Sequence, residues 1–101
     1  MGRSKQEQYT QQELNGARIG RAIAASARVV ILHEINKYHI VTNKSISERV
    51  SLSGPAVAQH LQILRETGFI ESKYLGEEEG FKGYTFTKQG EIDFYNLKDI
   101  L

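Results

Sequence analysis

The stretch Leu52-Ser53-Gly54-Pro55 constrains this chain more than any other feature of it. It stands between two segments whose apolar residues recur at helical spacing: Ile46 and Val50 before it, and Val57, Leu61 and Leu64 after it. Ser53 is a good N-cap, and Pro55 is tolerated in a first turn because its missing N–H has no helical partner there. Gly68 is a natural stop for the second segment. Two short helices must therefore meet across Leu52, Ser53 and Gly54, a break of the length that a helix-turn-helix uses.

The second helix, Pro55 to Thr67, has two unlike sides. At about 100° per residue, Val57, Leu61 and Leu64 fall within roughly 60° of one another and form a buried stripe. Pro55, Gln59, Gln62 and Glu66 fall on the opposite face, flanked by the small residues Ala56 and Ala58. A helix entering the major groove needs this division. Its outer face must lack bulk, and a glutamine amide there can pair with adenine N6 and N7. The capped N-terminus can also present N–H groups to a phosphate. A polar outer face alone is ordinary for any amphipathic helix. The reading gains its force from the neighbouring elements.

Those elements follow from the same kind of pattern. Residues 1–10 are polar and aperiodic and predict a flexible N-terminal arm; residues 11–101 make one domain. Helical spacing runs from Gln11 to Ala25, with Gly16 and Gly20 weakening it. Ser26 is placed to cap a second helix, ARVVILHEINKY, with Val29, Leu32 and Ile35 along one face. Ser45 and Glu48 have the spacing of a capping box and predict the start of a third helix. After Gly68, FIESKYL reads as a strand with Ile70 and Tyr74 on one face, GEEEGFKG as a turn-rich tip, and KGYTFTK as a second strand. Thr87 caps a last helix through Leu101. The fold class is mainly α with a small β-hairpin (α+β), and the order of elements predicts a winged helix-turn-helix.

Composition bounds the function. There is no cysteine, so disulfides, thiolate metal sites and thiol switches are excluded. The net charge of +1 conceals a division: residues 1–50 hold eight Lys/Arg against four Glu, and residues 51–101 hold five against eight Asp/Glu. The mildly basic first half points to a polyanion nearby. No 18-residue apolar run and no signal-peptide core occur, which predicts a cytoplasmic protein without a membrane span. No G-x-S-x-G, phosphate-cradling glycine loop or H-E-x-x-H is present, so no enzyme and no cofactor are expected. His33 and His39 do not share a helix face as a metal pair would. His60 lies at the margin of the buried stripe, where a hydrogen bond within the domain is expected.

SISERVSLSGPAVAQHLQILRETGFIES resembles the helix-turn-helix and first wing strand of ArsR/MarR-like winged-helix transcription regulators. AIAASARVVILHEI resembles the helix that opens their core, and YTFTKQGE the end of their second wing strand. The likeness spans about residues 20–92. It implies a homodimeric, sequence-specific binder of double-stranded DNA, acting as a repressor released by a signal. Carried over position by position, Ser53, Ala56, Ala58, Gln59 and Gln62 would face the groove, Lys44 and Ser45 would lie near the backbone, and Lys73 and Lys82 would flank the wing. The departures are equally plain. SISERV lacks the cysteines of metal-sensing members, and EIDFYNLKDIL carries Glu91, Asp93 and Asp99 but no histidine, so no metal is expected. Glu77, Glu78 and Glu79 put acid at the wing tip, where phosphate contact calls for Lys or Arg.

The last helix is apolar on more than one face. With the first helix it predicts a two-fold interface drawn from Leu14, Ala17, Ile23, Phe94, Leu97 and Leu101, and hence a palindromic operator. An unidentified effector could sit between those two helices. The alternative class is a winged-helix protein-interaction module without specific DNA binding, which the acidic tip and modest charge favour.

Overall fold

The computed structural model describes residues 8–76 and 82–101. The expected N-terminal arm falls largely, and the triple-glutamate tip entirely, outside the described residues. Seven elements follow one another: α1 (Gln11–Ala22), α2 (Ser26–Tyr38), α3 (Asn43–Val50), α4 (Gly54–Glu66), β1 (Ile70–Tyr74), β2 (Lys82–Phe86) and α5 (Lys88–Leu97). The strands pair antiparallel with Ile70 opposite Phe86 and Tyr74 opposite Lys82. Val41 adds a single bridge to Tyr84, its N–H and C=O both engaged at 3.0 and 2.7 Å.

One core serves all the helices. Ile31, Leu32 and Ile35 of α2, Ile46 of α3, and Val57, Leu61 and Leu64 of α4 are fully or almost fully buried beside Phe69, Ile70 and Phe94. Full burial of each such side chain contributes roughly 1.5–3 kcal/mol. α4 begins and ends one residue earlier than the Pro55 to Thr67 its sequence predicts, with the predicted cap and stop in place. Ser53 Oγ accepts from Ala56 N–H, Pro55 sits in the first turn, and Gly68 takes the left-handed φ of 79° just past the end. The N–H groups of Gly68 and Phe69 return to the carbonyls of Arg65 and Leu64, a Schellman closure.

Four further boundaries differ from expectation. α1 stops at Ala22 rather than Ala25, because its last carbonyls, those of Arg21 and Ala22, accept from the Arg28 guanidinium. Ser26 is not the cap of α2; Ala25 holds that position in extended conformation, without a side-chain hydrogen bond. α3 begins two residues before Ser45. Val41 is held extended by its bridge, so Thr42 is the first residue free to cap, and the box that forms is Thr42 with Ser45. α5 ends at Leu97, followed by a turn through Ile100. On the hairpin, Tyr74 shares the face of Ile70 by register but is exposed, because the strands outrun the core at that end.

α5 is latched to the α4–β1 corner. Thr87 Oγ1 donates to the Gly68 carbonyl and accepts from Gly90 N–H at 2.8 Å, while Thr87 N–H reaches the Phe69 carbonyl. The contact is close enough that a Cβ on Gly90 would stand 1.9 Å from Phe69 O. Backbone cannot retreat as a side-chain tip can, so Gly90→Ala is expected to cost at least about 1–3 kcal/mol. Thermal unfolding should show the midpoint falling by about 4–8 °C for each kcal/mol lost.

Candidate nucleic-acid interface

α3 and α4 meet through one side chain that sequence reasoning does not single out. Asn43, in the first turn of α3, donates from Nδ2 to the Gly54 carbonyl at 3.0 Å, and its Oδ1 accepts from Ser47 Oγ at 3.2 Å. The amide thus spans the turn and sets the N-terminus of α3 beside that of α4. Both ends are capped: Thr42 Oγ1 accepts from Ser45 N–H, and Ser53 Oγ from Ala56 N–H. The turn between them holds Ser51 in left-handed conformation, φ 56° and ψ 41°, a geometry that costs a non-glycine residue roughly 1–2 kcal/mol.

The outer face of α4 is as its pattern predicts in exposure. Ser53, Ala58, Gln59 and Gln62 are exposed, and Ala56 is half-buried. The two glutamines nevertheless differ. Gln62 donates from Nε2 to Glu66 at 2.9 Å and accepts at Oε1 from Arg65 at 3.1 Å. A carboxylate only accepts and a guanidinium only donates, so the orientation of the Gln62 amide is settled. Glu66 is in turn held by Arg21 of α1 at 2.7 Å, and the Gln62 and Arg21 hydrogen bonds keep its carboxyl below the usual carboxylate value. Gln59 makes no hydrogen bond among the described residues and presents its whole amide outward.

The remaining groove and backbone candidates do not form one surface. Lys44 is exposed at the start of α3. Ser45 is exposed too, but its hydroxyl accepts from Thr42 N–H and donates to the Thr42 carbonyl, so it works as a cap. Lys73 pairs across the hairpin with Gly83, and Lys82 with Tyr74. Successive strand residues alternate, so the two lysines leave from opposite faces.

The described arginines of the basic first half are engaged within the domain. Arg18 donates to Thr67 O at 2.8 Å and Asp93 at 3.0 Å, and lies over the Phe69 ring. Asp93 is buried and also accepts from Gln89, so this last-helix carboxylate belongs to an internal ion pair. Arg49 approaches Glu34 at 3.9 Å. Arg28 is 8 % exposed and donates to two carbonyls of α1 and to His60 Nδ1. His60 makes the internal hydrogen bond its wheel position predicts. No group of three or more metal-ligating side chains occurs among the described residues, and no helix among them is long and apolar enough to cross a membrane.

The expected two-fold interface needs correction at Phe94. That ring is 4 % exposed, lying 5.4 Å from Phe86 and edge-on to His33 within its own protomer. Ile23, Leu97 and Leu101 are likewise packed against the protomer's core, partly buried. Leu14 is half-buried and Ala17 exposed. The apolar side chains that α5 and the turn after it leave exposed are Ile92, Tyr95 and Ile100. Between α1 and α5, Gln11, Asn15, Arg18, Thr67 and Gln89 line an open, polar recess.

Residues 30–71, which span α3, the turn and α4, match the family model described as winged helix-turn-helix DNA-binding. The chain carries a winged helix-turn-helix domain. Among solved structures, HlyU from Vibrio cholerae superposes with a TM-score of 0.74 at 22% identity, covering 91% of this chain and 97% of that one. NolR from Sinorhizobium fredii gives 0.71 at 20% identity, covering 99% and 95%. The transcriptional repressor BigR from Xylella fastidiosa gives 0.70 at 15%, covering 97% of each. At these identities the likeness establishes the winged helix-turn-helix fold across the whole described domain. No curated protein matches the chain by sequence.

Asn43 offers a direct test of how the two helices are joined. Asn43→Ala removes a part-buried hydrogen bond and is expected to cost about 1 kcal/mol in urea unfolding. Asn43→Asp should cost more, because a carboxylate cannot donate to the Gly54 carbonyl.

Proposed function

We propose that this chain is a sequence-specific double-stranded DNA-binding transcriptional regulator that acts as a homodimeric repressor on a palindromic operator. One observation carries the reading: α4 presents an outward amide face, free of bulk, beside two capped helix N-termini that Asn43 holds together. Small residues at Ala56 and Ala58 permit close approach to base edges, and Gln59 has its full donor and acceptor pair available for a base. Lys44 and the helix N-termini supply backbone contacts that position the helix without reading sequence. The winged helix-turn-helix match over residues 30–71, and the likeness in fold to the transcriptional repressor BigR, support the assignment. No reaction, metal or cofactor is assigned to the chain, and its place is the cytoplasm, with the DNA.

Dimerisation rests on the apolar groups left exposed on and after α5. Ile92, Tyr95 and Ile100, with Leu14 and Ala17 of α1, replace Phe94 as the residues to face a second copy. Sedimentation should then give twice the protomer mass of 11.4 kDa, and Tyr95→Glu should shift the protein toward monomer. Two reading helices would sit about 34 Å apart, one DNA turn.

The competing reading, a protein-interaction module, is favoured by a specific observation: most arginines of the basic half are engaged internally. Fluorescence anisotropy on selected and random duplexes across a salt series separates the two. A regulator shows selective binding, and Gln59→Ala should lose about 1–3 kcal/mol of preference at one base pair while Lys44→Ala weakens all sequences and lowers the salt slope by about 1. Equal, negligible binding to both duplexes at low salt, with a defined protein partner instead, would favour the module.

A further inference from the structure

A buried cation ties the middle of α4 to the α1–α2 corner. The Arg28 guanidinium donates from Nε to Ala22 O and from one terminal nitrogen to Arg21 O, both at 3.1 Å. Its other terminal nitrogen faces His60 Nδ1 at 3.1 Å. An arginine has no acceptor, so His60 Nδ1 must accept, and the ring is the neutral tautomer with its proton on Nε2. We propose that Arg28 and His60 are positioning residues for the reading face, fixing the middle of α4 in its binding pose while the imidazole is neutral and loosening that tie when the imidazole is protonated. This rests on the DNA-binding reading given above.

The geometry explains the direction. Protonation places N–H against N–H, abolishes the hydrogen bond, and sets two cations about 3 Å apart where Arg28 cannot withdraw without abandoning the end of α1. Burial, and then the Arg28 charge, already lower the pKa of His60. The other charged groups on elements packed against α4 have different engagements. On α1, Arg18 turns to Asp93 and Arg21 to Glu66; on α3, Arg49 turns to Glu34. Glu13 of α1 is bonded to Thr10 N–H, and His33 and Lys37 of α2, Lys44 and Glu48 of α3, and Glu71 and Lys73 of β1 are exposed. No carboxylate among these pairs with His60 to offset the repulsion.

The linkage has one sign. Above about pH 6.5 the ring is neutral in folded and unfolded chains alike. As the pH falls below that, the unfolded or undocked chain takes up the proton first, and stability and docking decline until the pH passes the lower value of the folded state. His60 lies within the helix proposed to read bases, between Gln59 and Leu61, so the loss reaches the reading face directly.

The test compares the full chain with His60→Asn, whose Oδ1 can accept from Arg28 in place of Nδ1 and cannot be protonated. Anisotropy is read on the operator duplex from selection at pH about 7.5 and about 5.5, where histidine changes charge. The wild type should weaken relative to the variant at the lower pH by roughly threefold or more, while the variant's own affinity follows only the groups common to both proteins. His33 and His39 are common to both proteins and cancel. Parallel pH profiles, or a wild type that gains on the variant, would overturn the inference and leave the DNA-binding reading standing. No duplex binding at pH about 7.5 would overturn that reading and this inference together. NMR of the wild-type chain supplies a readout that does not need the variant. His60 should show the Nε2–H tautomer, and its titration should move the amide signals of α4; titration with those signals unmoved would also refute the proposal.

Discussion

Burial of one face of α4 is the constraint on which the rest of this structure depends. Val57, Leu61 and Leu64 are the surface against which α1, α2, α3 and β1 are all arranged. A helix used in this way cannot turn about its axis without exposing core, so its opposite face is fixed relative to the whole domain. Rigidity on the inside is what makes an outward row of small and amide-bearing residues usable as a reading surface. The polar ties are arranged around the same helix. Asn43 holds its beginning, Arg28 its middle through His60, and Arg18 and Arg21 its end through Thr67 O and Glu66. Most of these groups lie at least partly in solvent, where each contributes little energy, and their effect is to fix direction more than to add stability.

Much of this was legible before any coordinates. α4 was readable from end to end because cap, proline, apolar stripe and stop glycine agree with one another, and local agreement of that kind leaves few alternatives. Thr87 was readable for the same reason. Two starts were misplaced. Ser26 and Ser45 have good capping side chains, but a cap must also sit where the chain is extended, and before α3 that is decided by a distant partner. Val41 is extended because it bridges to Tyr84, more than forty residues on. Thr42 three residues before Ser45 was itself a visible signal, weaker in appearance than Ser45 with Glu48.

The candidate site was legible in its positions and not in its chemistry. The wheel placed Gln59 and Gln62 on one face, and both are exposed there. It could not show that Gln62 is tethered by Glu66 and Arg65, since that depends on rotamers and on Arg21 arriving from another helix. Asn43 was passed over because a polar residue in a link has no pattern to distinguish it. Phe94 was misjudged because apolar groups on several sides of a helix do not reveal which side meets the protomer's own core. The hairpin register, which sends Lys73 and Lys82 to opposite faces, follows from strand pairing that alternation alone did not fix.

The engagement of the arginines has a consequence for how such a protein would travel. Affinity for DNA of arbitrary sequence comes almost wholly from cations that displace counterions from phosphates. Arg18 and Arg21 are paired with Asp93 and Glu66 of the second half, so the formal charge of the first half overstates what a duplex would feel. A regulator built in this way would dwell briefly on chromosomal DNA between encounters with its operator. It would search by repeated short visits from solution, with little one-dimensional sliding, and few copies would be sequestered on the genome at large.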